Sequence, residues 1–205
     1  MKNIIFDYGN VLKSFEKEKV VSKFTDKKEE QEFLLNKVIH SPEWGEYGLI
    51  DTGYLTHEQI INTINDRSNN KYKDLVTNFM KNYYKYMYFQ EELLDIIKEL
   101  KKQGYKIYLL SNTNEFMYEK NLNQVEYLFD GIVLSYKVHL LKPYEAIYKY
   151  LLDTYNLNPK ESLFIDDRED NIKTANSLGI NGRKVEPDNA EDVKRVLREY
   201  KIIGD

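Results

Sequence analysis

Two short apolar runs in this chain stop on carboxylates. Near the start, Ile4-Ile5-Phe6 ends at Asp7; far downstream, Leu163-Phe164-Ile165 ends at the pair Asp166-Asp167. Between them, Ile107-Tyr108-Leu109-Leu110 ends at Ser111, and Gly131 to Leu134 forms one more run. Apolar runs this short and unbroken read as buried strands. The stretches around the later runs are helical in period. Leu93, Leu94, Ile96, Ile97 and Leu100 make an amphipathic helix stopped near Gly104. Ile147, Tyr148, Leu151 and Leu152 lie in a helix over 144–155, and Ile172, Ala175 and Leu178 in another with Gly179 just past its end. Arg183 to Val185 reads as a last short strand and Val193 to Leu197 as part of a closing helix. This alternation implies an α/β fold with a mostly parallel, Rossmann-like sheet and helices on both faces.

Residues 15–89 break that rhythm. They are polar and helical, with apolar faces at Phe33-Leu34-Leu35 and Val38-Ile39, at Ile60, Ile61 and Ile64, and at Leu75, Phe79 and Tyr83. A break falls at His40-Ser41-Pro42, followed by a loop through Gly45, Gly48 and Gly53. Thr56, with Gln59 three places on, has the form of a helix start. So long a helical stretch does not fit a simple crossover. The expected organisation is a core of residues 1–14 and 90–205 with a helical cap, 15–89, inserted after strand one.

Composition narrows the function. A chain of 205 residues suits one core domain with a modest insertion. Its 30 basic and 34 acidic residues give a net charge of -4, which argues against a nucleic-acid partner. With no Cys there is no thiolate nucleophile, thiolate metal site or disulfide framework. No apolar run reaches the roughly 20 residues of a membrane span, and the chain enters a strand directly from Met1. A soluble, cytoplasmic protein with neither membrane nor nucleic-acid partner is expected; oligomeric state is not legible.

In open parallel sheets, ligands bind at the carboxyl ends of the strands. Asp7, Ser111 and Asp166-Asp167 all fall there, with Lys142 after the third strand near the same edge. Two like charges at 4 Å repel by about 4 kcal/mol at an effective dielectric of 20, so three converging carboxylates call for protons or a cation. Hard oxygen ligands without thiols or paired histidines point to Mg2+. A metal there gathers a phosphate, Lys142 holds remaining negative charge, and Ser111 with nearby backbone N–H groups takes phosphate oxygens. An aspartate beside the metal can attack phosphorus.

Those residues resemble the four motifs of the haloacid dehalogenase (HAD) superfamily, in its capped phosphatase branch. Phe6-Asp7-Tyr8-Gly9-Asn10-Val11 is similar to the first motif, Leu110-Ser111-Asn112-Thr113-Asn114 to the second, Lys142-Pro143 to the third, and Phe164-Ile165-Asp166-Asp167 with Asn171 to the fourth. Within the superfamily the chain most resembles α-glucose-1-phosphate phosphatases and the phosphatase domain of epoxide hydrolases. The resemblance implies a phosphatase acting on small phosphorylated metabolites, sugar phosphates first, through an aspartyl-phosphate. It implies Asp7 as nucleophile and Lys142 as charge stabiliser. It implies Ser111, Asn112 and Lys142 at the phosphate, Mg2+ on Asp7, the Gly9 carbonyl, Asp166 and Asp167, and Asn171 as an anchor behind the metal.

One position departs from the pattern. Most such phosphatases carry a second aspartate two residues after the nucleophile, as general acid and base; here that residue is Gly9. A substrate with a better leaving group, a proton from a cap residue or water, and a weak or inactive enzyme are the alternatives. A metal-independent 2-haloacid dehalogenase and a catalytically weak domain that binds a phosphorylated ligand are the rival functions. In the cap, Trp44 and Glu46 are candidates for substrate selection, and Asp51-Thr52-Gly53 resembles the turn before a cap helix. His139 reads as a surface loop residue, His40 and His57 as surface or capping residues, and Tyr83, Tyr84, Tyr86 and Tyr88 as the hinge side of the cap helix.

Overall fold

The structure is a computed structural model that describes residues 1–44 and 48–204. Glu46 lies outside the described residues. The strands are β1 (Asn3–Phe6), β2 (Lys13–Ser14), β3 (Tyr88–Phe89), β4 (Lys106–Ser111), β5 (Gly131–Leu134), β6 (Ser162–Asp166) and β7 (Asn181–Lys184). Five of them form one parallel sheet in the order β5-β4-β1-β6-β7. The helices are α1 (Lys17–Val21), α2 (Lys28–Phe33), α3 (His57–Arg67), α4 (Lys73–Asn82), α5 (Glu91–Lys102), α6 (Glu115–Lys120), α7 (Ser135–Val138), α8 (Glu145–Thr154), α9 (Glu169–Ser177) and α10 (Ala190–Glu199). None of the described helices is long and apolar enough to cross a membrane.

Strands β1, β4, β5 and β6 are buried on both faces, as their apolar runs require. Ile4, Phe6, Leu109 and Ile165 face one side with α5 and α10; Ile5, Tyr108, Leu110 and Phe164 face the other with α8 and α9. The first of these cores runs on without a break into Leu34, Ile60, Ile64 and Phe79 of the helical segment. That segment leaves the sheet after β2 and returns at β3. The two strands pair antiparallel, so its entry and exit lie side by side. Within it, Thr56 and Gln59 form the reciprocal capping box read from the sequence, and a π-helical turn, Leu34–Ile39, continues α2.

The topology positions the site. Strand β1 is central, and the chain departs from it to β4 on one side and to β6 on the other, so the loops after these strands meet at one edge. The register makes this concrete: Phe6 is level with Leu109 and Ile165, and the Asp7 amide donates to the Ile165 carbonyl at 2.9 Å. Asp7 therefore stands level with Asp166, with Ser111 one residue higher.

Candidate active site

Lys142 is the hub of the strand-end cluster. It is buried, and its Nζ lies 2.8 Å from Asp7 Oδ1 and 2.7 Å from Asp166 Oδ2. Its loop is braced by Asn112, whose side chain exchanges two hydrogen bonds with the Lys142 backbone: Lys142 N donates to Asn112 Oδ1 at 2.8 Å and Asn112 Nδ2 donates to Lys142 O at 2.9 Å. The Asp7 carboxylate also accepts from the Tyr8 amide at 2.6 Å. Burial pushes the Asp7 carboxyl up to about 8; Lys142 opposes this, and Asp166 and Asp167 add to it. Burial alone would lower Lys142, but Asp166 and Asp7 outweigh it and hold the amine charged above its ordinary range.

The sequence treats Asp166 and Asp167 alike, but the structure separates them. Asp166 is fully buried and its oxygens are taken: Oδ1 accepts from the Arg168 amide at 2.8 Å and from Asn171 at 2.9 Å, and Oδ2 from Asn171 at 2.9 Å and from Lys142. Asp167 faces a cavity of about 740 Å³ and accepts from Asn10 Nδ2 at 3.1 Å. Neighbouring residues at a strand end point to opposite sides, which accounts for the difference. Asn171 thus serves Asp166.

Oxygens of Asp7, Asp166 and Asp167 lie within 4.8 Å of one another. With all three ionised, Lys142 leaves two negative charges uncompensated in a largely buried place. An all-oxygen donor set with excess negative charge fits a hard divalent cation such as Mg2+. The Gly9 position, also on the cavity wall, contributes only backbone.

The cavity brings together Asp7, Gly9, Asn112, Lys142, Asp167 and Trp44. Ser111 is buried behind that wall, with its hydroxyl 3.3 Å from the Asn112 carbonyl. Trp44 has both of the characters the sequence leaves open. One side lines the cavity, while its ring packs on Phe15, Phe79 and Tyr83 with centroids 6.3, 5.7 and 4.5 Å away. His40 also lines the cavity and is exposed. His57 is half-buried, stacked 4.0 Å from Phe116, with Nε2 3.0 Å from the Met80 carbonyl. His139 is an exposed residue in the left-handed region (φ 56°), and its Nδ1 donates to the Thr52 carbonyl at 2.8 Å.

Residues to which the sequence assigns no role also reach this site. Asn10 lies inside the first motif and orients Asp167. Arg168, Lys17, Glu16 and Asp188 line the cavity, and so does Asp51. Asn114 donates to Asp51 Oδ1 at 3.2 Å while capping α6. Asn114 closes the second motif in the sequence, and its place as a helix cap is the signal that marks its side chain.

The family model for haloacid dehalogenase-like hydrolases matches residues 1–179. A D-ribitol-5-phosphate phosphatase of Bacteroides thetaiotaomicron is 27% identical over 211 residues, covering 96% of this chain and 97% of that protein. Among solved structures, a HAD family enzyme of the same organism in complex with magnesium and inorganic phosphate superposes with a TM-score of 0.74 at 24% identity, over 92% of this chain and 96% of its own. An L-2-haloacid dehalogenase shares the fold with a TM-score of 0.71 at 16% identity, over 98% and 99% of the two chains.

Proposed function

This chain belongs to the haloacid dehalogenase-like hydrolase family, and on that premise we propose that it is a Mg2+-dependent phosphatase of small polyol or sugar phosphates. The observation that carries this reading is the buried cluster of Asp7, Lys142 and Asp166 beside cavity-facing Asp167. The relatives that bind magnesium and phosphate and that hydrolyse a polyol phosphate support it. So does the cavity wall, where Glu16, Lys17, His40 and Asp188 offer hydrogen-bonding partners for hydroxyl groups.

Asp7, the Gly9 carbonyl and Asp167 would hold the ion directly, with Asp166 behind them fixing Lys142. When bound, Mg2+ neutralises carboxylate and phosphate charge and polarises a phosphoryl oxygen. Asp7 attacks phosphorus, forming the aspartyl-phosphate as the bond to the leaving oxygen breaks. The alcohol departs with a proton. Water then attacks the same phosphorus, loses a proton, and releases inorganic phosphate and free Asp7. Lys142 holds Asp7 in place and offsets charge on the transferred group. The Asn112 side chain is engaged with Lys142, so its backbone faces the phosphate, and the Ser111 hydroxyl turns from the Asn112 carbonyl to join it. The helical segment between β2 and β3, residues 15–89, is the cap in this reading, and Trp44 is its candidate for selecting substrate.

The test is phosphate release across a panel of phosphorylated polyols and sugars, with MgCl2 and with EDTA. Turnover of at least one ester with Mg2+, lost in EDTA and reduced to background in Asp7→Asn, is the expected result. Full Mg2+-dependent turnover by Asp7→Asn would refute the mechanism.

A further inference from the structure

The two steps above each move a proton, and Gly9 has no side chain to carry it. Packing does not impose that glycine. Its φ is not positive, and a Cβ built there meets no heavy atom within 4 Å. The carboxyl is missing from the first motif although there is room for it.

Another carboxyl stands on the wall of the same cavity, on the helical segment. Asp51 lines it together with Asp7, Asn112 and Lys142. It rides on a single 3₁₀ turn, Leu49–Thr52, that α7 and the residue after it hold at several points. The Ser135 hydroxyl donates to the Asp51 carbonyl at 2.7 Å, and His139 Nδ1 donates to the Thr52 carbonyl at 2.8 Å. Gly53 closes the turn at φ 74° and lies so near the Tyr136 backbone that a Cβ would fall 2.2 Å from its carbonyl oxygen. The side chain is fixed as well. Asn114 Oδ1 accepts from the Met117 amide at 3.0 Å, which sets the orientation of the Asn114 amide and presents its N–H group to Asp51 Oδ1 at 3.2 Å. That contact occupies Oδ1 and leaves Oδ2 to exchange the proton.

The surroundings of Asp51 shift its carboxyl toward the acid form. Burial pushes the Asp51 carboxyl up to about 6, against the Asn114 hydrogen bond and the Lys142 cation. The other titratable group facing it is the buried Tyr83 phenol, which is raised by its own burial and stays neutral. The remaining carboxyls on the wall are differently placed. Glu16 is held below its ordinary range by Lys19 and Tyr88, Glu18 is exposed, and Asp188 lies among Ser14, Glu16 and Lys19.

We propose that Asp51 is the general acid and base of this hydrolase, supplied by the turn before α3 instead of by the position two residues after the nucleophile. It gives its proton to the leaving alkoxide oxygen as Asp7 attacks phosphorus. As the carboxylate, it takes a proton from the water that cleaves the aspartyl-phosphate. Each cycle returns Asp51 to the acid form, so protons balance. The inference rests on the phosphatase reading.

Leaving-group dependence tests it. An alkyl phosphate needs a proton on its leaving oxygen; p-nitrophenyl phosphate releases a phenolate already stable near neutrality. The constant kcat/KM reports the step up to alcohol release and so isolates the acid role from the later hydrolysis. The comparison is Asp51→Asn, which keeps the shape and the acceptor for Asn114, against wild type. The alkyl substrate is ribitol 5-phosphate or glycerol 3-phosphate, whichever is turned over. General acid catalysis is typically worth 10²–10⁴-fold, so kcat/KM for the alkyl ester is expected to fall by about that factor. For p-nitrophenyl phosphate the expected loss is under about tenfold. The wild-type kcat/KM for the alkyl ester falls as pH rises through a pKa of about 6, since the acid form of the free enzyme is required. That limb disappears in Asp51→Asn. Equal losses on both esters, or no loss on the alkyl ester, would overturn the assignment. A wild type that releases no phosphate from any ester with Mg2+ refutes the phosphatase reading itself and takes this inference with it.

Discussion

Replacing Lys142 by Met tests how the site is held together. The Lys142 amine sits 2.8 Å from one carboxylate and 2.7 Å from another, and the three side chains are all buried. At an effective dielectric of 20, each contact is worth about 6 kcal/mol in gross Coulomb energy. Desolvating the ions offsets most of that, so the intact cluster adds little net stability. Removing the cation alone is different. It leaves buried carboxylates facing each other, and breaking a buried pair from one side costs about 3–5 kcal/mol. Met nearly matches the volume and keeps the packing on Phe164, whose ring centroid is 5.5 Å from Nζ. At about 2–4 °C per kcal/mol for a chain of this size, Tm should fall by about 6–20 °C in EDTA. Mg2+ should then raise Tm more in the variant than in wild type, because the ion takes over part of the charge that the lysine balanced. Thermal unfolding with EDTA and with saturating MgCl2 measures both effects. A variant that melts within about 2 °C of wild type in EDTA, or whose gain from Mg2+ is no larger than that of wild type, would show that the carboxylates do not depend on Lys142.

Two more perturbations probe the turn that carries Asp51 and the helix after it. Gly53→Ala puts a methyl 2.2 Å from the Tyr136 carbonyl oxygen at a φ of 74°; urea unfolding should show a loss of about 2 kcal/mol or more from strain and overpacking. Since the same turn carries Asp51, its kcat/KM should fall further for an alkyl phosphate than for p-nitrophenyl phosphate. His57 is kept neutral by burial, below its ordinary pKa, with Nδ1 buried and unpartnered. The unfolded chain titrates near pH 6.5, so the stability this residue contributes is present above that pH and is lost as pH falls through the lower folded value. His57→Phe should therefore flatten the decline in stability as pH falls below about 6.5, and an unchanged slope in urea titrations below that pH would contradict this.

The sheet is legible because strands buried on both faces must be apolar throughout, and such runs stand out in a polar chain. Four of its five strands fall within a residue of where the sequence puts them: β1, β4, β5 and β6. The exception is β7. Expected over 183–185, it spans Asn181–Lys184, an edge strand of Asn-Gly-Arg-Lys with no apolar period to read. Strands β2 and β3 have two residues each, too short for any period, yet they set where the helical segment leaves and rejoins the core. Helices α6 and α7, of six and four residues, escape for the same reason.

The site divides along similar lines. Asp7 and the Asp166-Asp167 pair are legible because their chemistry sits on strand ends that the topology must bring together, and Lys142 because its loop follows β5 at the same edge. The contacts that make the cavity asymmetric are not legible. Asp51, Asn114 and Ser135 come from three separate segments, each residue type common at turns and helix starts, and they meet only because the 49–52 turn docks against α6 and α7. Nothing in the local sequence of Asp51 distinguishes a turn former from an acid; burial by the docked turn makes the difference. Gly9 and Asp51 are thus two sides of one arrangement. With room for a carboxyl at Gly9 but none present, proton transfer falls to the segment that also presents Trp44 to the cavity. If Asp51 carries the proton, substrate selection and acid catalysis share one stretch of chain. An ester that displaces the 49–52 turn then loses its proton donor as well as its binding contacts, and discrimination among substrates appears in kcat as well as in KM.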